Sequence, residues 1–304
     1  MKKFISLLAI LMACILSLSV IGCDSQTDVP ETEESTAEET TEPVDDATFM
    51  EQVKANMKSV TNMSVSMTMD MDMVMTVDGQ SMSMTQLAQI DVSHNNGNEY
   101  TETSLTQNMQ GSTTQTFSKV TQIGNDFYMS RGEDQTASTA YLKITATEKD
   151  MEQAKEQLGS SGDMDDFSID HFHSVTKKQN DDGSVTYTCV GLRESAEEHY
   201  IDQIGAGTQM MGANVDAKID RETVKYVFTV KDEKFVSVAI DMTVNMTMTI
   251  NGQTASVLCT YDIDETFSYG TVAPITVPTD AGYATAPTYT WEYYWQLIQQ
   301  STGN

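Results

Sequence analysis

The chain has 304 residues, with 17 Lys and Arg against 45 Asp and Glu, a formal charge of −28 and 39% hydrophobic residues. A molecule this acidic is repelled by phosphate backbones and by anionic headgroups, which excludes nucleic acid as a partner and adhesion to anionic lipid by charge alone. The length is enough for one domain, or two fused halves, with a full core.

Residues 1–22 have the form of a secretory signal: Lys2 and Lys3 precede an apolar stretch from Phe4 to Val20, and a short small-residue exit follows. Val20-Ile21-Gly22-Cys23 resembles the lipobox of bacterial lipoproteins, which implies that Cys23 becomes the lipid-modified first residue of the mature chain. Two acyl chains on one cysteine, at about 0.8 kcal/mol per buried methylene, anchor a protein without a spanning helix. The expected location is therefore the extracytoplasmic face of the cell membrane. Residues 23–46 form the lipidated cysteine and an acidic tether. From Asp24 to Asp46 there are ten acidic residues, no Lys or Arg and no aromatic residue, too little apolar surface to order the segment. Without Lys2 and Lys3 the mature chain carries 15 basic and 45 acidic residues, near −30.

The folded part is expected over 47–278. A helix at 47–60 places Phe49, Val53, Met57 and Val60 on one face, with Thr48 and Glu51 spaced as a capping box. Every odd position from Met63 to Val77 is apolar, and the run ends at Asp78-Gly79 before a second alternating strand. Folding about that turn pairs Met75 with Met82, Met73 with Met84, Met67 with Ile90 and Val65 with Val92, so the apolar residues share one face. Shorter strands follow near 98–109, 113–123 and 127–130, and Tyr141-Leu142-Lys143-Ile144 reads as another. Helical spacing appears at 147–158, where Met151, Ala154 and Leu158 share a face.

The second half repeats the mixture. Strands near 172–179 and 184–191 flank Asp181-Asp182-Gly183, a helix is expected at 195–204 from Ser195 and Glu198, and a strand near 222–231 follows. Even positions from Val236 to Ile250 are then all apolar up to Asn251-Gly252, a copy of the first long hairpin offset by 173 positions. Here Met248 pairs with Ala255, Met246 with Val257, Met242 with Tyr261 and Ile240 with Ile263. At about 3.3 Å per residue such strands reach about 50 Å, so the sheet must coil. The fold class is α+β: a strongly curved antiparallel half-barrel with two similar long hairpins and helices covering its concave face.

Cys189 and Cys259 sit at apolar phases of their strands, and intervening strands in a sequential meander keep them too far apart to bridge. His171 and His173 stand beside Asp163, Asp165, Asp166 and Asp170, but the spacing fits neither an EF-hand nor HExxH, and a solvated acidic loop is expected. His94 and His199 are isolated. No nucleophile elbow, P-loop or dinucleotide fingerprint occurs, so neither catalysis nor a cofactor is expected. Residues 279–304 read as a linker and an aromatic segment in which Trp291, Trp295 and Ile298 align on a helical face, suited to docking on the domain's own sheet or to a membrane interface.

The methionines admit three uses: core packing, an adaptable ligand-cavity wall, and thioether ligation of Cu(I). Matching positions of the two hairpins exchange sulfur for hydrocarbon, Met67 for Ile240, Met71 for Val244 and Met84 for Val257. That favours apolar bulk over metal ligation. The expected cavity wall is Met67, Met69, Met71, Met73, Met84, Ile240, Met242, Val244, Met246, Val257 and Tyr261.

Four features together resemble the LolA-like and LppX-like lipoprotein carriers, a half-barrel group that includes many lipoproteins of Gram-positive bacteria. They are the N-terminal helix; Ile123-Gly124-Asn125-Asp126-Phe127-Tyr128-Met129 leading to Tyr141-Leu142-Lys143-Ile144; Asp182-Gly183-Ser184-Val185-Thr186-Tyr187 before a helix; and the closing Met-rich hairpin running out to Val272-Ala273-Pro274-Ile275-Thr276-Val277-Pro278. The resemblance covers most of 46–278 as a pattern of elements. It implies a lipid or other hydrophobic ligand in a lidded cavity, with no catalytic residue. Apart from the membrane at the anchor and that ligand, no partner is specified, and a surface interaction or sensing module with a filled core is the competing class.

Overall fold

The computed structural model describes residues 46–77, 79–135, 137–150, 168–197, 200–201, 214–250, 253–294 and 296. The first helix, α1, spans Asp46–Lys58. The first meander consists of β1 (Asn62–Val77), β2 (Gln80–Asn95), β3 (Asn98–Met109), β4 (Ser112–Ile123), β5 (Asp126–Gly132) and β6 (Ala140–Thr145). A short 3-10 turn at Ile169–His171 leads to β7 (Phe172–Gln179), β8 (Val185–Leu192), β9 (Asn214–Ile219), β10 (Lys225–Lys231), β11 (Lys234–Ile250) and β12 (Gln253–Tyr269). The chain finishes with α2 (Gly282–Thr285) and β13 (Thr288–Thr290).

The fold is mostly β, one large, curved, unclosed antiparallel sheet with few helices. Its order is β13-β6-β5-β4-β3-β2-β1-β12-β11-β10-β8-β7, with β9 on β11 beyond the end of β10. Two meanders therefore grow outward in opposite directions from a central seam in which β1 pairs antiparallel with β12, from Met63 opposite Tyr269 to Val77 opposite Ala255. Local turn chemistry fixes each meander. Between β2 and β3, Asn96 and Gly97 both have positive φ, 50° and 80°, the primed geometry whose twist matches the strands it joins.

The long hairpins close in the expected register, Val77 opposite Gln80 and Ile250 opposite Gln253. Alternation places Met63 to Val77 inward and Ser64 to Thr76 outward along β1. It fails at one place. Val236 was expected inward, but the β10–β11 register shifts between Thr229 and Val230, so Phe235 turns in and Val236 is 37% exposed. An extra residue at a bulge reverses the phase of what precedes it.

Other expectations need adjustment. In α1 the buried residues are Met50, Val53, Lys54 and Met57, with Phe49 only partly buried. Thr48 lies inside the helix, and Glu51 pairs with Lys54 at 2.7 Å, so no capping box forms at 48–51. The helix expected at 147–158 is described only at its start, where Thr147 and Asp150 exchange hydrogen bonds of 2.7 to 3.1 Å in a cap. Of the helix expected at 195–204, residues 194–197 and 200–201 are described, and they are helical. Strand β9 was not anticipated.

The described part of the C-terminal segment docks on one edge of the domain's own sheet, one of the two placements expected for it. Tyr283 is buried against Tyr128 and Tyr141, with ring centroids at 5.9 and 4.9 Å. Gly282 permits that approach, since a Cβ there would stand 2.2 Å from the Tyr141 ring. Strand β13 then pairs parallel with β6, and Trp291 reaches Phe127 at 5.6 Å on the other side of the sheet.

Candidate binding face

Antiparallel pairing aligns inward residues of neighbouring strands in rows across the sheet. One row is Val244, Cys259, Met73, Met84 and Met109; another is Met242, Tyr261, Met71, Gln86 and Gln107. The row beyond holds Met246, Val257, Met75 and Met82, and those nearer α1 hold Ile240, Ile263, Met69 and Ala88, then Val238, Glu265, Met67 and Ile90. All eleven residues expected as a cavity wall thus share one face of four adjacent strands. Met67, Met69, Met71 and Met73 are 0–4% exposed, and Met84, Val244, Met246, Val257 and Tyr261 are also buried; Ile240 and Met242 are partly buried.

Toward α1 the same face changes character. Tyr187 stacks on Phe228 at 5.1 Å, Phe228 meets Phe235 edge-on at 5.9 Å, and Phe235 lies 6.3 Å from Phe267. Phe49 of α1 stacks on Tyr187 at 6.3 Å. The Asp46 carboxylate accepts hydrogen bonds from Tyr187 Oη and Lys177 Nζ, and the Lys177 bond chiefly holds it below the usual carboxylate range.

Three polar side chains interrupt the apolar face. Glu265 is 2% exposed between Met67 and Val238, and its Oε2 has no hydrogen-bond partner. Burial pushes its carboxyl up to about 8, so it is protonated at neutral pH. Gln86 is 1% exposed; its Oε1 accepts from Gln107 Nε2 at 3.1 Å, while its Nε2 is without a partner. His94 is buried with Nε2 unpartnered, opposite Glu99, whose carboxyl is raised by burial. Buried polar atoms in proteins are nearly always satisfied, so each of these asks for a reason. Sequence reasoning passed over all three, although a signal was present: Glu265 and Gln86 occupy the apolar phase of β12 and β2.

The opposite face carries a cleft of about 390 Å³ between the sheet and the C-terminal clasp, lined by Tyr100, Lys119, Thr121 and Ser130 on one side and by Val272–Thr276, Pro278 and Tyr283 on the other. Nothing in the strand pattern signals it, because it exists only once the clasp is in place. Cys189 and Cys259 are free and buried, separated by β10 and β11, and burial pushes their thiols up to about 12 and about 11. Such thiols are poor nucleophiles and reluctant metal ligands. Nδ1 of His171 lies 3.4 Å from Tyr200 Oη, and His173 is exposed on β7. Among the described residues no three His, Cys, Asp or Glu side chains are grouped to hold a metal. Cys23, Asp163, Asp165, Asp166, His199, Trp295 and Ile298 lie outside the described residues.

No curated protein matches the chain. Solved structures with partial likeness include the ywiB protein of Bacillus subtilis (10% identity, 68% of this chain and 94% of that one, TM-score 0.17). A second is a beta-barrel-like protein of the domain of unknown function DUF1849 from Brucella abortus (8%, 70% and 99%, TM-score 0.24). A third is a DUF1329 family protein from Desulfovibrio piger (10%, 74% and 93%, TM-score 0.22). At these scores the likenesses carry no detail of architecture or mechanism. The model of the family of unknown function DUF6612 matches residues 45–285, most of the chain, and the protein belongs to that family.

Proposed function

We propose that the protein is a lipid-anchored, extracytoplasmic, non-catalytic binder of a lipid or other hydrophobic molecule, held against the Met face. In this reading α1 and further helices cover the concave side as lids, and Cys23 carries the acyl anchor, in the manner of the LolA-like and LppX-like carriers that the sequence resembles. The observation that carries it is the buried, Met-rich apolar face in which β2, β1 and β11 contribute thioethers and β12 contributes Val257, Cys259, Tyr261 and Ile263. β-branched residues suit strands better than Met does, and unbranched, polarizable Met conforms to irregular or variable partners. Native mass spectrometry after gentle purification from the producing cell is expected to show a co-purifying hydrophobic molecule released by organic extraction. A single species at the protein mass, together with no binding of a neutral apolar fluorophore, would overturn the reading.

The near-complete burial of Met67 to Met75 favours a second reading, a surface interaction or sensing module whose face is a filled core. The same measurement separates the two. Anchoring is tested independently: a clickable fatty acid should label the wild type and not Cys23→Ser, which should leave the membrane fraction, and label retained in the variant would refute the lipobox.

A further inference from the structure

Glu265 stands at the border between the two regions of the inward face. Its row holds Met67 and Val238; along β12 its same-face neighbours are Phe267 on the aromatic side and Ile263 on the methionine side. From Met67 to Met75 the thioethers extend away from it along β1 for about 26 Å at about 3.3 Å per residue, a length comparable to that of an extended acyl chain. The strip thus has one polar end and an apolar length, the layout of an amphiphile.

A carboxyl buried among Met, Val, Ile and Phe, with the buried Tyr226 of β10 the one titratable group among the described residues shown to feel its charge and with its Oε2 unpartnered, is costly in a finished core, since Met or Leu would fill the same space with no orphan atom. Building on the hydrophobic-ligand reading above, we propose that Glu265 is the head-group anchor of the Met face and that the ligand is a long-chain amphiphile with a neutral, hydrogen-bonding head such as a hydroxyl. A protonated carboxyl both donates and accepts, which matches a hydroxyl in both senses. A carboxylate head would bring a second acid into an apolar site, and a trimethylammonium head offers no donor. Gln86, two strands away and nearer the hairpin turns, is too far along the strip to share the same head group.

The test uses the full chain and four probes: the neutral fluorophore N-phenyl-1-naphthylamine, and monododecanoylglycerol, dodecanoate and dodecyltrimethylammonium as competitors at neutral pH. The wild type should bind the fluorophore and release it most readily to monododecanoylglycerol. Glu265→Met, which adds apolar surface to an apolar face, should keep fluorophore binding within about twofold and lose about tenfold or more of its affinity for the monoglyceride. Glu265→Gln, retaining a donor and an acceptor, should recover most of it. Equal competition by all three amphiphiles, or an unchanged monoglyceride affinity in Glu265→Met, would overturn the head-group assignment while leaving the Met face intact as a binding surface. A wild type that binds none of the probes would remove the underlying reading, and the anchor with it.

Discussion

The two ends of the inward face are built from the same strands and differ in what fills them. At the α1 end, rings interlock at centroid distances of 5.1 to 6.3 Å and Asp46 ties the helix to Tyr187 and Lys177. At the hairpin end, apart from Tyr261, the paired inward positions of the four strands hold thioethers, aliphatics, Cys259 and one amide. Rings in fixed contact specify one packing; unbranched thioethers conform to several. One end therefore fixes the shape of the sheet, and the other leaves a surface able to adapt.

The sharpest test of the face itself compares adjacent residues of β1. Met71→Asp puts a carboxylate at a position with 0% exposure and should cost about 4 kcal/mol or more, whereas Asp72→Asn on the outer side should stay within about 0.5 kcal/mol. Equal losses in urea melts would mean that β1 does not bury one face. The contrast between the ends comes next. Phe228→Ala should cost about 3–5 kcal/mol by opening a cavity among rings, while Met69→Leu, equally buried, should cost under about 1.5 kcal/mol. Similar costs would erase the distinction between a rigid end and an adaptable one.

Most diagnostic of the border is the pH dependence given by Glu265. The unfolded chain releases this proton near 4.5 and the folded chain holds it up to about 8. Stability is thus lost as pH rises through that window, by up to about 1.4 kcal/mol per pH unit, and is constant outside it. Glu265→Gln lacks this term, so the variant should gain on the wild type between pH 5 and pH 8 in denaturant midpoints. Parallel curves would show that the carboxyl is not held in its protonated form.

Much of this was legible in the sequence, for a local reason. Period-2 alternation ending in a two-residue turn determines both register and face, so Met73 opposite Met84 and Met246 opposite Val257 follow from spacing alone. The separation of Cys189 from Cys259 followed from the order of strands between them. What escaped was nonlocal or too short. No residue of β1 signals that β12 is its other neighbour. Strand β9 offers only Val215, Ala217 and Ile219 as an alternation, and its place beside β11 depends on where β10 stops. Val236 faces outward because of a bulge that no nearby Gly announces. The unexpected polar groups could have been found by asking which polar residues break the apolar phase of a long strand: Glu265 in β12, and Gln86 and His94 in β2.

The β1–β12 seam also governs how the molecule comes into being. It joins residues roughly two hundred positions apart, whereas nearly every other pairing is between strands close in sequence. Each meander can assemble from its own turns within a short stretch of chain, but the seam must close a loop containing nearly the whole domain, a slow step because its entropy is lost before its contacts are gained. A chain that emerges from its N-terminus during synthesis presents β1 early and must wait for β12, with one long methionine edge unpaired meanwhile. Folding is then timed by the arrival of the last long hairpin, and a truncation before Gln253 should yield two half-sheets with sticky edges instead of a smaller version of the same protein.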